Sequence, residues 1–250
     1  MPPSAHAANL SLGGNEPSRL PDGVRSYVVG DIHGRFDLLQ KTFDKIDEHN
    51  DRAPIAEPLE IYVGDYVDRG PNSREVVEAI MRRASRKNVI ALVGNHEEYL
   101  LQSLSDPNVF QDWLRHGGRE TLISYCGTAP LHPNAREIDR AMRALNEAVP
   151  REQIEFLEQL PLNHRCGDYL FVHAGVRPNV SIAQQKASDM LWIRREFTSY
   201  TGLFPLMIVH GHTPVRQPEV RANRINIDTG AYATGRLTCM VLEGSRLSFL

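Results

Sequence analysis

Little in this sequence points to disulfides, membranes or nucleic acid. Its three cysteines, Cys126, Cys166 and Cys239, are odd in number and widely scattered, so neither a disulfide framework nor a paired-thiolate metal site follows. No stretch approaches the ~20 apolar residues that span a bilayer. Charge is nearly balanced, with 28 Lys and Arg against 31 Asp and Glu and a formal net charge of −3. That balance leaves no basic footprint for a nucleic-acid partner. The first 23 residues lack both the basic start and the apolar centre of a signal peptide. Being rich in Pro, Gly, Ser and Asn, they are expected to form a mobile tail, with the folded domain spanning residues 24–250. A reducing, cytoplasmic compartment is the expectation.

What is present is an ordinary globular balance, 41% hydrophobic and 24% charged over 250 residues, enough chain for one sizeable core. Apolar runs at Ser26–Val29, Leu59–Val63 and Asn88–Val93 read as buried strands. Between the first two, Phe36, Leu39, Phe43 and Ile46 recur at helical spacing. Val76, Val77, Ile80, Met81 and Ala84 mark a second helix, with Asn72 or Ser73 as its N-cap, and a third is expected from about Glu97. This β-α-β-α-β-α opening implies parallel strands covered by helices. Residues 105–160 are polar and helical in pattern, an insertion with two amphipathic helices broken at Pro150. Strands return at Tyr169–Val172, Leu206–Val209, Arg224–Ile227 and Leu237–Leu242. The expected whole is one α/β domain with a mixed sheet or sandwich core.

Five short segments carry the chemistry, each directly after an expected strand: Gly30-Asp31-Ile32-His33-Gly34, Gly64-Asp65-Tyr66-Val67-Asp68-Arg69-Gly70, Gly94-Asn95-His96-Glu97, His173-Ala174-Gly175 and His210-Gly211-His212-Thr213-Pro214. Taken singly, each has a plain reading as a turn, a helix cap or a surface ion pair. Together they place Asp, His or Asn beside Gly at five strand ends, where ligand sites collect in α/β folds. Carboxylate and imidazole side chains at such ends suit divalent transition metals.

In order, these segments resemble the signature of the phosphoprotein phosphatases, the Ser/Thr phosphatase branch of the calcineurin-like metallophosphoesterases, in its bacterial and phage form. The resemblance implies a four-layer α/β/β/α sandwich, to which the helical pattern at about 105–160 adds an insertion. It implies that Asp31 and His33 hold one metal, that Asp65 bridges two, and that Asn95, His173 and His212 complete the second site. His210 would lie behind the ligands. His96 would be the general acid, oriented by Asp68; Arg69 would hold phosphate, joined by Arg194 in preference to Arg195.

That assignment is chemically coherent. Two metals ~3.5–4 Å apart polarise phosphoryl oxygens and acidify a bridging water for in-line attack on phosphorus. Guanidinium forks match phosphate oxygens, and a positioned His supplies the leaving group's proton. A mixed N and O ligand set without thiolate favours Mn, then Fe or Zn. The first-choice substrate is a phosphoserine or phosphothreonine protein or peptide. The alternative is diadenosine tetraphosphate or a related nucleotide, since dinucleotide hydrolases share the metal motifs. All of the ligand and acid positions are filled, which argues against a non-catalytic metal-binding scaffold. Asp228-Thr229-Gly230-Ala231-Tyr232 replaces the longer eukaryotic segment, so no regulatory subunit is expected.

Overall fold

The computed structural model describes residues 17–250. The opening alternates as the periodicity implies: β1 (Val24–Val29), α1 (Phe36–Arg52), β2 (Glu57–Tyr62), α2 (Ser73–Ala84), β3 (Val89–Ala91) and α3 (Asn95–Ser103). Helices α4 (Pro107–Trp113), α5 (Arg119–Cys126), α6 (Ala135–Ala148) and α7 (Arg151–Glu158) follow. Strands β4 (Asn163–Cys166) and β5 (Tyr169–Val172) lead into α8 (Ala187–Trp192) and α9 (Arg195–Thr198). The chain closes with β6 (Met207–His210), β7 (Glu219–Val220), β8 (Arg224–Asn226), α10 (Ala231–Thr234), β9 (Cys239–Glu243) and β10 (Arg246–Phe249).

Local chemistry sets several of these boundaries. In α1 an acidic Asp37 opens the first turn while Arg52 closes the last, matching the helix dipole at both ends. Asn134 caps α6, accepting from the backbone N–H groups of Arg136 and Glu137, while the Glu137 carboxylate accepts from the Asn134 N–H. Reciprocal caps of this kind satisfy donors that a helix start otherwise leaves open. Between α4 and α5 the chain kinks through Leu114–Gly118, where Gly117 has φ +111°. Helix α3 starts at Asn95, two residues ahead of expectation, and the short strands β4, β7 and β10 were not foreseen.

The strands form two five-stranded mixed sheets, β10-β9-β1-β2-β3 and β4-β5-β6-β8-β7. β1, β2 and β3 run parallel, as do β5, β6 and β8. Alternation along each strand builds the layers. Tyr27 and Val29 face outward beneath Leu39, Ile46, Val76 and Ile80 of α1 and α2. Val28, Ile61 and Val63 face inward against Tyr169, Phe171, Met207 and Val209 of the second sheet. Leu170, Val172 and Ile208 face the other way, beneath Met190, Ile193 and Phe197. The architecture is therefore α/β/β/α in four layers. No helix among the described residues is long and apolar enough to cross a membrane.

One expectation needs correction. A tail reaching residue 23 is not what residues 17–23 form; residues 1–16 lie outside the described residues. Leu20 is fully buried among Val24, Leu242 and Tyr169 in the inter-sheet core. Its N–H donates to Gly244 O at 2.9 Å, the Arg19 N–H donates to Asp168 Oδ2 at 2.9 Å, and Ser18 O accepts from the Tyr169 hydroxyl. One buried leucine outweighs the loop-like composition around it.

Ile61 is fully buried between the sheets. Replacing it with Ala should destabilise the chain by ~2–5 kcal/mol, because neighbours on two rigid sheets cannot close the cavity. Urea denaturation measures this; a loss below ~1 kcal/mol would mean the inter-sheet packing is looser than described.

Candidate active site

All five segments meet at the carboxyl ends of β1, β2, β3, β5 and β6. Among the described residues, those other than glycine with positive φ are His33, Asp65, Asp68, Arg69, Asn179 and His212. Five of these six are residues singled out from sequence. Left-handed backbone at such residues costs energy and persists where surrounding structure enforces it, typically at working sites.

Two groups of side chains converge, His33 with Asp65 and His96, and Asp65 with His173 and His212, all buried. Asp65 belongs to both. His33 Nδ1 donates to Val67 O and His173 Nδ1 to Val63 O, each at 2.8 Å. Those bonds fix the tautomers and leave the Nε2 lone pairs facing inward. His173 Nε2 lies 2.9 Å from Asn95 Oδ1 and 3.3 Å from Asp65 Oδ1, so three lone-pair-bearing atoms converge on one point. His212 Nδ1 stands 2.7 Å from the same Asn95 oxygen. Asp31 accepts the His212 backbone N–H through Oδ2 at 2.9 Å, while its Oδ1 is buried without any partner. Converging acceptors and an orphaned carboxylate oxygen are costly in a protein interior, and divalent cations relieve both. The residues present therefore fit a pair of such ions.

Electrostatics points the same way. Burial pushes Asp65 upward, but His173, His96, His33 and His212 outweigh it and hold its carboxyl well below the usual range. Burial drives His33 down to about 3 and His212 to about 2, and lowers His173 as well. Neutral imidazoles are the form that ligates metal. Asp31 is pushed far upward by burial and by the neighbouring Asp228 and Asp65 carboxylates, repulsion that bound cations would reverse.

His96 stands apart from the other histidines. Burial lowers it, yet Asp65 and Asp68 together raise its pKa above the ordinary value. Its Nδ1 donates to Asp68 Oδ2 at 2.6 Å and its Nε2 meets Arg69 Nη2 at 3.0 Å. Asp68 is fully buried and accepts further from Trp113 Nε1 at 2.9 Å and Thr121 Oγ1 at 2.6 Å. The helical stretch after α3 is thus part of the site: α4 and α5 hold the carboxylate that bonds to His96. The Arg69 N–H also donates to Gly117 O at 3.0 Å, at the kink between those helices. Arg194 Nη1 donates to His212 O at 3.2 Å, which puts it at the rim, whereas Arg195 begins α9 and points to solvent. His210 lies behind the cluster, its ring edge-on to Phe197 at 4.8 Å.

Glu97 is the residue whose role sequence reasoning missed. Fully buried, it accepts from the backbone N–H groups of Gly94, Asp65, Tyr66 and Val67. It thereby ties the loop after β2 to the loop after β3. Burial and the Asp65 carboxylate push its pKa up, against the four donors that favour its ionised form. Gly94 permits the contact, since a Cβ there would overlap Asp65 Oδ1. Asp228 was likewise passed over. Burial raises it to about 6, it sits close enough to Asp31 to raise that carboxyl, and it accepts the Gly230 N–H. Its only sequence signal was its position after an expected strand, where Asp31 and Asp65 also stand.

The profile of the calcineurin-like phosphoesterases matches residues 24–237, nearly the whole described chain. The chain belongs to the calcineurin-like phosphoesterase family. Among relatives of this metallophosphoesterase is the asymmetrical bis(5'-nucleosyl)-tetraphosphatase PrpE of Halalkalibacterium halodurans, 29% identical over 85% of this chain and 88% of the relative. A crystal structure assigned provisionally as a diadenosine tetraphosphatase superposes with a TM-score of 0.63 at 20% identity, covering 92% of this chain and 98% of that one. A cold-active protein tyrosine phosphatase superposes with a TM-score of 0.55 at 16% identity, covering 92% and 78%. Those two structures speak for the shared fold. The metallophosphoesterase is thus a hydrolase of a metal-dependent family, with two side-chain clusters suited to divalent metals.

Removing the Glu97 carboxylate should uncouple the two loops. Glu97→Ala leaves four buried N–H groups without an acceptor, each such loss costing ~1–3 kcal/mol. A drop of at least ~3 kcal/mol in chelator-treated protein is expected in urea titration, together with loss of metal retention after desalting. An unchanged midpoint would show that the loops are held by something else.

Proposed function

We propose that this metallophosphoesterase hydrolyses a dinucleoside tetraphosphate or a related nucleotide, and cleaves it asymmetrically. The observation that carries this reading is the 29% identity to an asymmetrical bis(5'-nucleosyl)-tetraphosphatase across 85% of this chain and 88% of the relative. The phosphoprotein favoured on motifs alone gives way, because those motifs are shared by both substrate classes. Manganese is the metal we propose for both positions, since imidazole, carboxylate and amide oxygen donors without thiolate suit it, with iron or zinc as substitutes.

In this reading Asp31 and His33 hold one ion, Asp65 bridges, and Asn95, His173 and His212 hold the other. The orphaned Asp31 Oδ1 and the facing acceptors of His173, Asn95 and Asp65 support it. What a bound pair supplies is Lewis acidity toward the phosphoryl oxygens and toward an attacking water. Arg69 and Arg194 pair with the remaining phosphate oxygens as guanidinium forks do. Asp68, held by Trp113 and Thr121, keeps the His96 ring oriented, and His96 Nε2 delivers a proton to the departing oxygen. A nucleotide leaving from a phosphoanhydride is a weakly basic phosphate and needs that proton less than an alkoxide does.

Two outcomes follow from this reading. Manganese-loaded protein should convert diadenosine tetraphosphate into AMP and ATP, resolved by ion-exchange chromatography, faster than it releases phosphate from a phosphothreonine peptide. Two equivalents of ADP would refute asymmetric cleavage, and preference for the peptide would restore the protein phosphatase reading. Asp65→Asn should abolish turnover and weaken metal retention. His96→Asn should keep its metal and lose ~10²–10⁴-fold on an alkyl phosphate, with a smaller loss on the dinucleotide. Equal losses on both would contradict the general-acid role.

A further inference from the structure

Three large aromatic side chains are markedly exposed among the described residues: Trp192 at 42%, Tyr232 at 39% and Phe249 at 40%. Phe249 ends β10, at the far edge of the first sheet. The other two stand at the two metal clusters, one beside each. The Tyr232 ring lies 5.4 Å from His33, edge to face, with the Arg69 guanidinium 5.0 Å from its centroid. The Trp192 ring lies 6.4 Å from His212, also edge to face. An indole left this exposed contributes little to the core; here it is nonetheless held in place. Trp192 Nε1 donates to Glu98 Oε2 at 2.7 Å, and its ring meets Tyr99 at 6.0 Å with planes at 79°. Tyr99 is in turn fixed by its hydroxyl bond to Asp112 and by the His116 ring at 5.9 Å. The backbone beneath is equally fixed, since Met190, Leu191 and Ile193 are buried.

We propose that Trp192 and Tyr232 are stacking platforms for the two bases of a dinucleoside polyphosphate whose phosphate chain crosses the metal clusters between them. This deepens the nucleotide reading above and rests on it. Such a substrate carries a flat aromatic base at each end of a polyanion; the site offers cation-binding clusters in the middle and one exposed aromatic ring beside each. Nucleobases stack on such side chains regardless of sequence, because every base presents a π-face. Pre-fixed rings hold a base at a low cost in side-chain entropy. Arg69 already covers part of the Tyr232 ring, so Trp192 offers the larger free face. A phosphorylated side chain of a protein brings no base to either ring.

The test uses full-length manganese-loaded protein and the variants Trp192→Ala, Tyr232→Ala, Trp192→Phe and Tyr232→Phe. The quantity read is the ratio of kcat/KM for diadenosine tetraphosphate to that for β-glycerophosphate, which has no base. Each Ala variant should lower that ratio at least ~5-fold, chiefly through KM, as the loss of one stacked base implies; Trp192→Ala should be the more severe, and the Phe variants should recover most of it. A second readout is independent of turnover. The only other tryptophan, Trp113, is fully buried, so ATP should quench the exposed-indole emission saturably in the parent protein and not in Trp192→Ala, while base-free tripolyphosphate should not quench it. Unchanged ratios in both Ala variants, with the parent protein hydrolysing the dinucleotide, would overturn the platforms and leave the substrate reading intact. No hydrolysis of the dinucleotide by the parent protein would overturn both.

Discussion

A single buried carboxylate organises the ends of two strands. Glu97 gathers four backbone N–H groups, those of residues 65–67 and 94, and in doing so it fixes where Asp65 and Asn95 can be. Without an acceptor at that point, the turn after β2 would hold unpaired donors in the protein interior, at a cost comparable to much of a domain's net stability. The strained φ values of Asp65 and Asp68 become tolerable because the same turn is bonded so heavily. Strain and restraint therefore occur together on this turn.

The second restraint comes from the helices. Asp68 sits where α4 and α5 meet the turn after β2, and Trp113, Thr121 and Ser73 all bond to it or its N–H. Gly117 bends the chain between those helices at φ +111° and abuts Arg69. Residues 107–126 are thus structurally continuous with the proposed acid and phosphate-holding groups, although they contain no metal ligand. Alteration of their packing would be felt at His96 through Asp68.

Much of this was legible in the sequence because the informative residues are local. Each strand-end segment carries its Gly with Asp, Asn or His within a few positions, and apolar runs and helical spacings mark the elements on either side. What escaped is non-local. Glu97 was visible as the end of a motif, but its partners lie about thirty residues upstream and only the fold brings them together. Trp113 and Thr121 sit in helices whose pattern records packing and nothing of the carboxylate they serve. Leu20 is one apolar residue in a loop-like stretch, and its burial depends on β9 and β10 arriving from the other end of the chain. The short strands β4, β7 and β10 are edge or near-edge segments with polar residues, too brief for periodicity to register. Substrate class was the least legible, because metal ligands and phosphate-binding groups serve any phosphoester; the aromatic rings that would discriminate come from segments far apart in sequence.

The central claim is that Asp65 is shared by two metal ions. Electron paramagnetic resonance of protein loaded with two equivalents of manganese tests it most directly. The account predicts an exchange-coupled multiline spectrum from ions joined through a common carboxylate. The simple hyperfine sextet of isolated ions at full loading would contradict it.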